Sequence, residues 1–329
     1  PPFSIEEQNH HTSPSIGVEI IHCKHNHSDE VLMHADLAMY QAKKHGRNTV
    51  RFFDPQMQIN VEQLASLQND LRDAIDDEQF ELYYQPQVSQ HSEIIYAEAL
   101  IRWNHPQKGF ISPAEFIPMA EESGLIIPIG DWVIKNACET LVKWRSDEVL
   151  RHIKLAVNVS AKQFAENEFV DKVKHTLTQT GANPNHLKLE LTESVVVKDI
   201  EKTILTMNAL RDIGVRFSMD DFGTGHSSLS NLKRLPLSQL KIDQSFIRDL
   251  PDDTDDAIIV KTIIAMSNTL KLEVIAEGVE TYEQKEFLNQ NQCYVYQGYL
   301  FSRPVPLSEF ETLVKNTSQI NAIELDIDF

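Results

Sequence analysis

Hydrophobic periodicity divides the chain into a short leading block, one amphipathic stretch and a long alternation of strands with helices. In the leading block, residues 15–21 read as a strand. Asp29-Glu30 then open a helix through Val31, Leu32, Ala35, Leu37, Ala38 and Met39 that ends near Gly46. Val50, Phe52 and Phe53 form a second strand, stopped by Asp54-Pro55. Two strands and one helix bury too little for a secure core, so this block reads as the tail of a larger, truncated domain. From Met57 to about Asp77, Val61, Leu64, Leu67, Leu71 and Ile75 recur at three- and four-residue steps, which predicts a connecting helix.

Beyond it, strands are predicted at 80–85, 94–102, 153–159, 187–191, 215–220, 239–243, 273–277 and 293–297. Amphipathic stretches at 132–144, 169–180, 200–213, 257–270 and 282–289 lie between most of them. A polar turn at Gln90-His91-Ser92 makes the first two strands an antiparallel hairpin, and the later helical crossovers imply parallel strands. Eight strands in ~250 residues predict an α/β fold, a (β/α)8 TIM-like barrel with an inverted first strand. The expected divisions are a short α+β remnant at 1–55, a connecting helix at 56–78, the barrel at 79–318 and a tail at 319–329.

The length of 329 residues agrees with about two domains. A net charge of −19 disfavours general electrostatic binding to nucleic acid or anionic lipid. It leaves room for a small phosphorylated substrate where local cations or metals reverse the field. No run of 18 apolar residues appears. The opening Pro1-Pro2-Phe3-Ser4 has neither a basic leader nor an initiator Met, and reads as a cut inside a longer protein. Cys23, Cys138 and Cys293 are odd in number and far apart, which suggests a reducing compartment. The expectation is a cytoplasmic fragment, with any membrane anchor of the parent lying outside this chain. The run His22-Cys23-Lys24-His25-Asn26-His27 invites a metal reading, but its spacing matches no usual zinc pattern, and a polar loop is the plainer account.

Barrel enzymes keep their chemistry at the carboxyl ends of the strands. Those ends carry Glu98 and Arg102, Asn158, Glu190 and Glu193, Asp220-Asp221, Lys241 and Asp243, Glu277 and Glu280, and Gln297. Singly, each acid reads as a rim or salt-bridged residue. Together, nearly every parallel strand delivers a polar group to one rim. Converging carboxylates in apolar strands repel one another, and divalent cations relieve that repulsion. Oxygen ligands such as Glu98, Asn158, Glu190 and Asp220 suit Mg²⁺ or Mn²⁺ rather than zinc. Adjacent aspartates allow one to bridge two ions while its neighbour holds the second. Lys241 is placed to orient water or neutralise charge, and Arg102 to fork a phosphate.

With those residues in hand, the chain from about 82 to 314 resembles the EAL-domain family of cyclic di-GMP phosphodiesterases. The carriers are Glu98-Ala99-Leu100-Ile101-Arg102-Trp103, Asn158-Val159-Ser160, Glu190-Leu191-Thr192-Glu193-Ser194, Asp220-Asp221-Phe222-Gly223-Thr224-Gly225, Lys241-Ile242-Asp243, Glu277-Gly278-Val279-Glu280 and Gln297-Gly298-Tyr299. The resemblance implies hydrolysis of cyclic di-GMP to linear pGpG with two Mg²⁺ or Mn²⁺ ions per site. It implies that Glu98, Asn158, Glu190 and Asp220 hold one metal and Asp220 with Asp221 the other. Lys241 would position the attacking water, with Glu98 and Glu277 also catalytic. Arg102 and Gln297 would serve the substrate and its metal–water shell, and Glu193 and Glu280 would anchor loops. A homodimer through this domain is implied as well. His226 departs from the family's usual Tyr, in a loop associated with the dimer interface.

The leading block resembles the end of a GGDEF (diguanylate cyclase-like) domain, through Ser15-Ile16-Gly17, residues 35–43 and Gly46-Arg47-Asn48. The motif that names that domain is absent from this chain, so cyclic di-GMP synthesis by it is not expected. An upstream sensory domain is expected in the intact parent. Two rival readings stay open on sequence: a catalytically silent cyclic di-GMP receptor acting through a partner protein, and a barrel lyase or enolase-type enzyme using Mg²⁺ with Lys241 as base.

Overall fold

The computed structural model describes residues 3–5, 8–10, 13–21, 28–44, 46–195, 199–223 and 229–327. The histidine-bearing run 22–27 and His226, with the dimer-loop reading attached to it, lie outside the described residues. Two compact units make up the chain, Pro1–Arg72 and Asp73–Phe329. No helix among the described residues is long and apolar enough to cross a membrane.

In the first unit, β1 (Phe3–Ile5) and β2 (Gln8–His10) pair antiparallel. β3 (Ile16–Val18) and β4 (Val50–Phe52) pair in parallel, with the helix Ser28–Lys44 as the crossover that parallel pairing requires. Asp29 and Glu30 in its first turn and Lys43 and Lys44 in its last complement the helix dipole. Gly17 lets β3 lie directly against this helix, because a Cβ there would collide with the backbone of Ala35 and Met39. The helix Pro55–Asp76 follows, its start fixed by Asp54 Oδ1 accepting the Gln56 N–H at 2.9 Å.

The second unit is a closed barrel. Its strands are β5 (Phe80–Ser89), β6 (Ile94–His105), β8 (Lys154–Asn158), β9 (Leu187–Thr192), β10 (Arg216–Phe222), β11 (Gln239–Ile242), β12 (Glu273–Ala276) and β13 (Val295–Gln297). β5 pairs antiparallel with both β6 and β13, while the remaining neighbours pair in parallel, so the inverted first strand expected from sequence is present. Two short strands flank the barrel: β7 (Gly109–Ile111) on β6 and β14 (Val305–Pro306) on β5. The helix Pro113–Ser123 was not predicted, and the helix Ile126–Trp144 begins six residues before the predicted start at 132. The last helix, Leu307–Ile327, continues through the 318/319 boundary drawn from sequence.

Strand alternation sorts the side chains of β9: Leu187, Leu189 and Leu191 are buried on the outer face, and Lys188 and Glu190 point into the barrel. Barrels of this type ordinarily fill their interior with branched aliphatic side chains. Here the interior carries two polar layers. Glu98, Glu190, Asp220 and Lys241 lie towards the C-terminal rim, and Tyr96, Lys188, Gln239 and Glu273 lie one step closer to the N-terminal mouth.

Candidate active site

Lys241, fully buried at the end of β11, organises the upper layer. Its Nζ lies 2.5 Å from Glu277 Oε1, 2.7 Å from Glu190 Oε2, 3.0 Å from Asp220 Oδ1 and 3.3 Å from Glu98 Oε2. Glu98 also accepts hydrogen bonds from Asn158 Nδ2 and Gln297 Nε2, both at 2.6 Å. Gln297 is held in turn by buried amides, donating to Gln85 Oε1 and accepting from Gln87 Nε2, both at 2.9 Å. Six β-strands and the residue just after β12 thus bring Glu98, Asn158, Glu190, Asp220, Lys241, Gln297 and Glu277 together.

Asp221 joins them through a local irregularity. Successive residues of a regular strand face opposite sides, so adjacent aspartates should diverge. The register of β10 against β11 slips between Met219 and Phe222, and Asp221 adopts a left-handed φ of 51°. One oxygen each from Asp220, Asp221 and Glu277 consequently falls within 4.8 Å of the others. A left-handed non-glycine residue costs roughly 1–2 kcal/mol, and Asp is one of the types that tolerates it.

Five carboxylates against one ammonium leave four uncompensated negative charges, the charge of two divalent cations. The titration of the site reflects that excess. Burial, with repulsion from Glu98 and Asp220, pushes Glu190 up to about 8 against the pull of Lys241. Burial and Asp220 push Asp221 up to about 6, and burial drives Glu277 well above its usual range. Glu98 goes the other way: burial alone would raise it, but Lys241, Gln297 and Asn158 together hold it below the ordinary carboxylate value. Burial disfavours the charged form of Lys241, yet Asp220, Glu190, Glu277 and Glu98 hold its ammonium well above the ordinary lysine value. Glu190 Oε1 is buried with no hydrogen-bond partner, and Asp220 Oδ1 faces Lys241 without hydrogen-bond geometry. Such orphaned oxygens, in a cluster of carboxylate and amide donors, fit hard divalent cations.

A pH dependence follows for the metal-free protein. Glu190, Asp221 and Glu277 bind protons more tightly folded than unfolded, so the stability they allow at low pH is lost as pH rises through about 6 to 8. Glu98, held low, opposes this only once the pH falls into the ordinary carboxylate range. Melting temperature in chelator should therefore drop between about pH 5.5 and about pH 8.5. A flat or rising profile would refute the charge-excess account.

Arg102 is half-buried, stacks 5.2 Å from the Tyr83 ring and lines a cavity of about 330 Å³ with Asn158, Glu190, Thr192 and Ser194. Ile117, Ile126, Ile129 and Val133 give that cavity an apolar wall. Glu193 Oε1 accepts the Gly223 N–H at 3.0 Å, which ties the β9 end to the segment after Asp221. Glu193→Ala should lower stability by about 1–2 kcal/mol, because the amide loses a charged acceptor. A melting temperature unchanged from the parent would show the tie to be dispensable. Glu280 stands apart, exposed at the start of the helix Tyr282–Gln290, where its backbone N–H donates to Gln284 Oε1. Sequence reasoning passed over Gln85 and Gln87, whose only signal was two amides in an otherwise buried strand.

The family model for the EAL domain matches residues 68–304. The chain belongs to the EAL-domain family. The model described as diguanylate cyclase, GGDEF domain matches residues 1–49. Among relatives of this EAL chain is the Pseudomonas aeruginosa bifunctional diguanylate cyclase/cyclic di-GMP phosphodiesterase MucR. The two are 43% identical over 309 residues, covering 94% of this chain and 45% of that protein. The cyclic di-GMP phosphodiesterase NbdA of the same organism is 41% identical, covering 95% of this chain and 40% of that protein. The chain spans less than half the length of these curated relatives. A solved structure described as PaMucR phosphodiesterase in complex with c-di-GMP is 45% identical, with a TM-score of 0.72, and covers 75% of this chain and 99% of that one.

Proposed function

We propose that this EAL barrel hydrolyses one phosphodiester of cyclic di-GMP to linear pGpG, using two divalent cations, Mg²⁺ or Mn²⁺. The observation that carries the reading is the five-carboxylate cluster around Lys241, beside the cavity lined by Arg102. The named activities of MucR and NbdA support the choice of substrate. Glu98, Asn158, Glu190 and Asp220 would hold one ion, and Asp220 with Asp221 the other. Bound there, the ions would supply an acidified water and charge neutralisation at the leaving oxygen. Lys241 and Glu277 would orient that water, the ammonium holding its position by the carboxylates that surround it. Arg102 would grip a phosphate oxygen with its guanidinium.

Gln297, proposed to serve the substrate's metal–water shell, would also aim Glu98, since its amide is engaged by Gln85, Gln87 and Glu98. Glu193 would hold the loop after Asp221, and Glu280 the loop after β12. The division at 1–55, 56–78, 79–318 and 319–329, a homodimer through the EAL domain, a cytoplasmic setting and an upstream sensory domain belong to the same proposal.

The test is incubation with cyclic di-GMP and Mg²⁺ or Mn²⁺, with products separated by chromatography. Linear pGpG that disappears on adding chelator is the expected result. Saturable binding without product would instead favour the receptor reading, and turnover indifferent to chelator would sink the two-metal mechanism.

A further inference from the structure

The lower polar layer opens on the barrel's N-terminal mouth, the end away from the carboxylate cluster. There Lys188 Nζ donates to Gln239 Oε1 at 2.7 Å and sits 3.5 Å from the centroid of the Tyr96 ring. Gln239 Nε2 and Tyr96 Oη both donate to Glu273 Oε2, at 2.5 and 3.0 Å. Tyr96, Lys188 and Glu273 line a cavity of about 320 Å³ whose wall also carries Lys154 and Arg216. Lys154 Nζ lies 5.3 Å from the same Tyr96 ring, so one aromatic face system serves two ammonium groups.

The charge balance of this mouth is the reverse of the rest of the chain. Three cations meet one carboxylate, and that carboxylate is already occupied by two neutral donors. Among the described residues, the side chains of Lys154 and Arg216 form no hydrogen bond or ion pair. Acids are not scarce: the chain has 49 of them against 30 lysines and arginines. A purely structural use of a buried lysine would pair it with a carboxylate, because an uncompensated buried ammonium is costly. Lys188, 3% exposed, instead donates to a neutral amide and forms no ion pair among the described residues, and burial outweighs the pull of Glu190 and Glu273 to bring its ammonium down to about 8. An anionic ligand would supply the paired charge.

The shape of the ligand is indicated by the adjoining surface. A groove of about 580 Å³ shares Tyr96 and Lys154 with the basic cavity and is lined by Ile94, Ile95, Ile153 and Val314. An anionic head between the cations and an organic body lying over Tyr96 would fill both. An excess of two positive charges matches a phosphate dianion, whose oxygens suit the guanidinium fork of Arg216. We propose that the N-terminal mouth of the barrel binds an organic phosphomonoester, held at its phosphate by Lys154, Lys188 and Arg216.

Calorimetric titration of the chelator-treated protein with adenosine 5′-monophosphate tests this, since its base differs from that of the proposed catalytic substrate. Saturable binding of one nucleotide per chain is expected. The double variant Lys154→Ala/Arg216→Ala should weaken it by about tenfold or more, since each charged hydrogen bond is worth roughly a factor of ten. Both side chains lie at the mouth's edge, far from the catalytic carboxylates, so the variant should still hydrolyse cyclic di-GMP at the parent rate. Adenosine, lacking the phosphate, should not bind. Absence of binding at millimolar nucleotide, equal binding by the double variant, or equal binding of adenosine would each overturn the proposal.

Discussion

Lys241→Met should cost the metal-free protein about 3–5 kcal/mol, the penalty for stripping a buried ion cluster of the ammonium at its centre. In a unit of this size that is a fall of roughly 10 °C in melting temperature. The argument rests on four carboxylate oxygens within 3.3 Å of one ammonium. Without it, those acids must either repel one another in a low-dielectric interior or take up protons. The loss should shrink near pH 5, where Glu190 and Asp221, pushed up to about 8 and about 6, are already protonated. Mg²⁺ or Mn²⁺ should recover part of it, because ions that bind only the folded cluster stabilise by mass action. Thermal unfolding with chelator, at both pH values, decides the matter. A shift of less than about 2 °C at pH 7.5 would mean that the acids shed their charge by protonation and do not lean on Lys241.

Glu98→Gln should reduce hydrolysis of cyclic di-GMP by about a thousandfold or more, the scale on which single charge-stabilising groups act in such sites. The change keeps the side chain's size, leaves one acceptor oxygen for the two amide donors Asn158 and Gln297, and removes the charge proposed to bind a cation. Stability should barely change, since one acid fewer around Lys241 also lessens repulsion. Steady-state turnover beside a melting curve separates the two effects. Activity within tenfold of the parent would remove Glu98 from the proposed ligand set.

The barrel was legible because its strands are short apolar runs that end in acids, as in 187–191 before Thr192 and Glu193. The helix Pro113–Ser123 was not, because Pro113 opens it and Pro118 interrupts its periodicity. Pro128 and Gly130 likewise disguised the first turns of Ile126–Trp144. Asp221 reached the cluster only through a left-handed bulge, which no alternation rule foresees. The lower polar layer escaped for a different reason. Lys188 lies two residues before Glu190 on the same inner face, away from the strand C-terminal ends where barrel chemistry is expected.

The inverted strand β5 settles where the chain enters the barrel. Phe80 lies opposite Trp103 and Glu81 opposite Arg102, beside the C-terminal end of β6. Gln79 is stitched to the same place, its carbonyl accepting the Asn104 N–H at 2.9 Å and its side chain the Trp103 indole N–H at 3.0 Å. With a first strand running like the others, the incoming backbone would arrive at the far mouth. As built, the chain's point of entry and Arg102 stand on one pair of strands, so the barrel begins beside the rim that carries the carboxylate cluster.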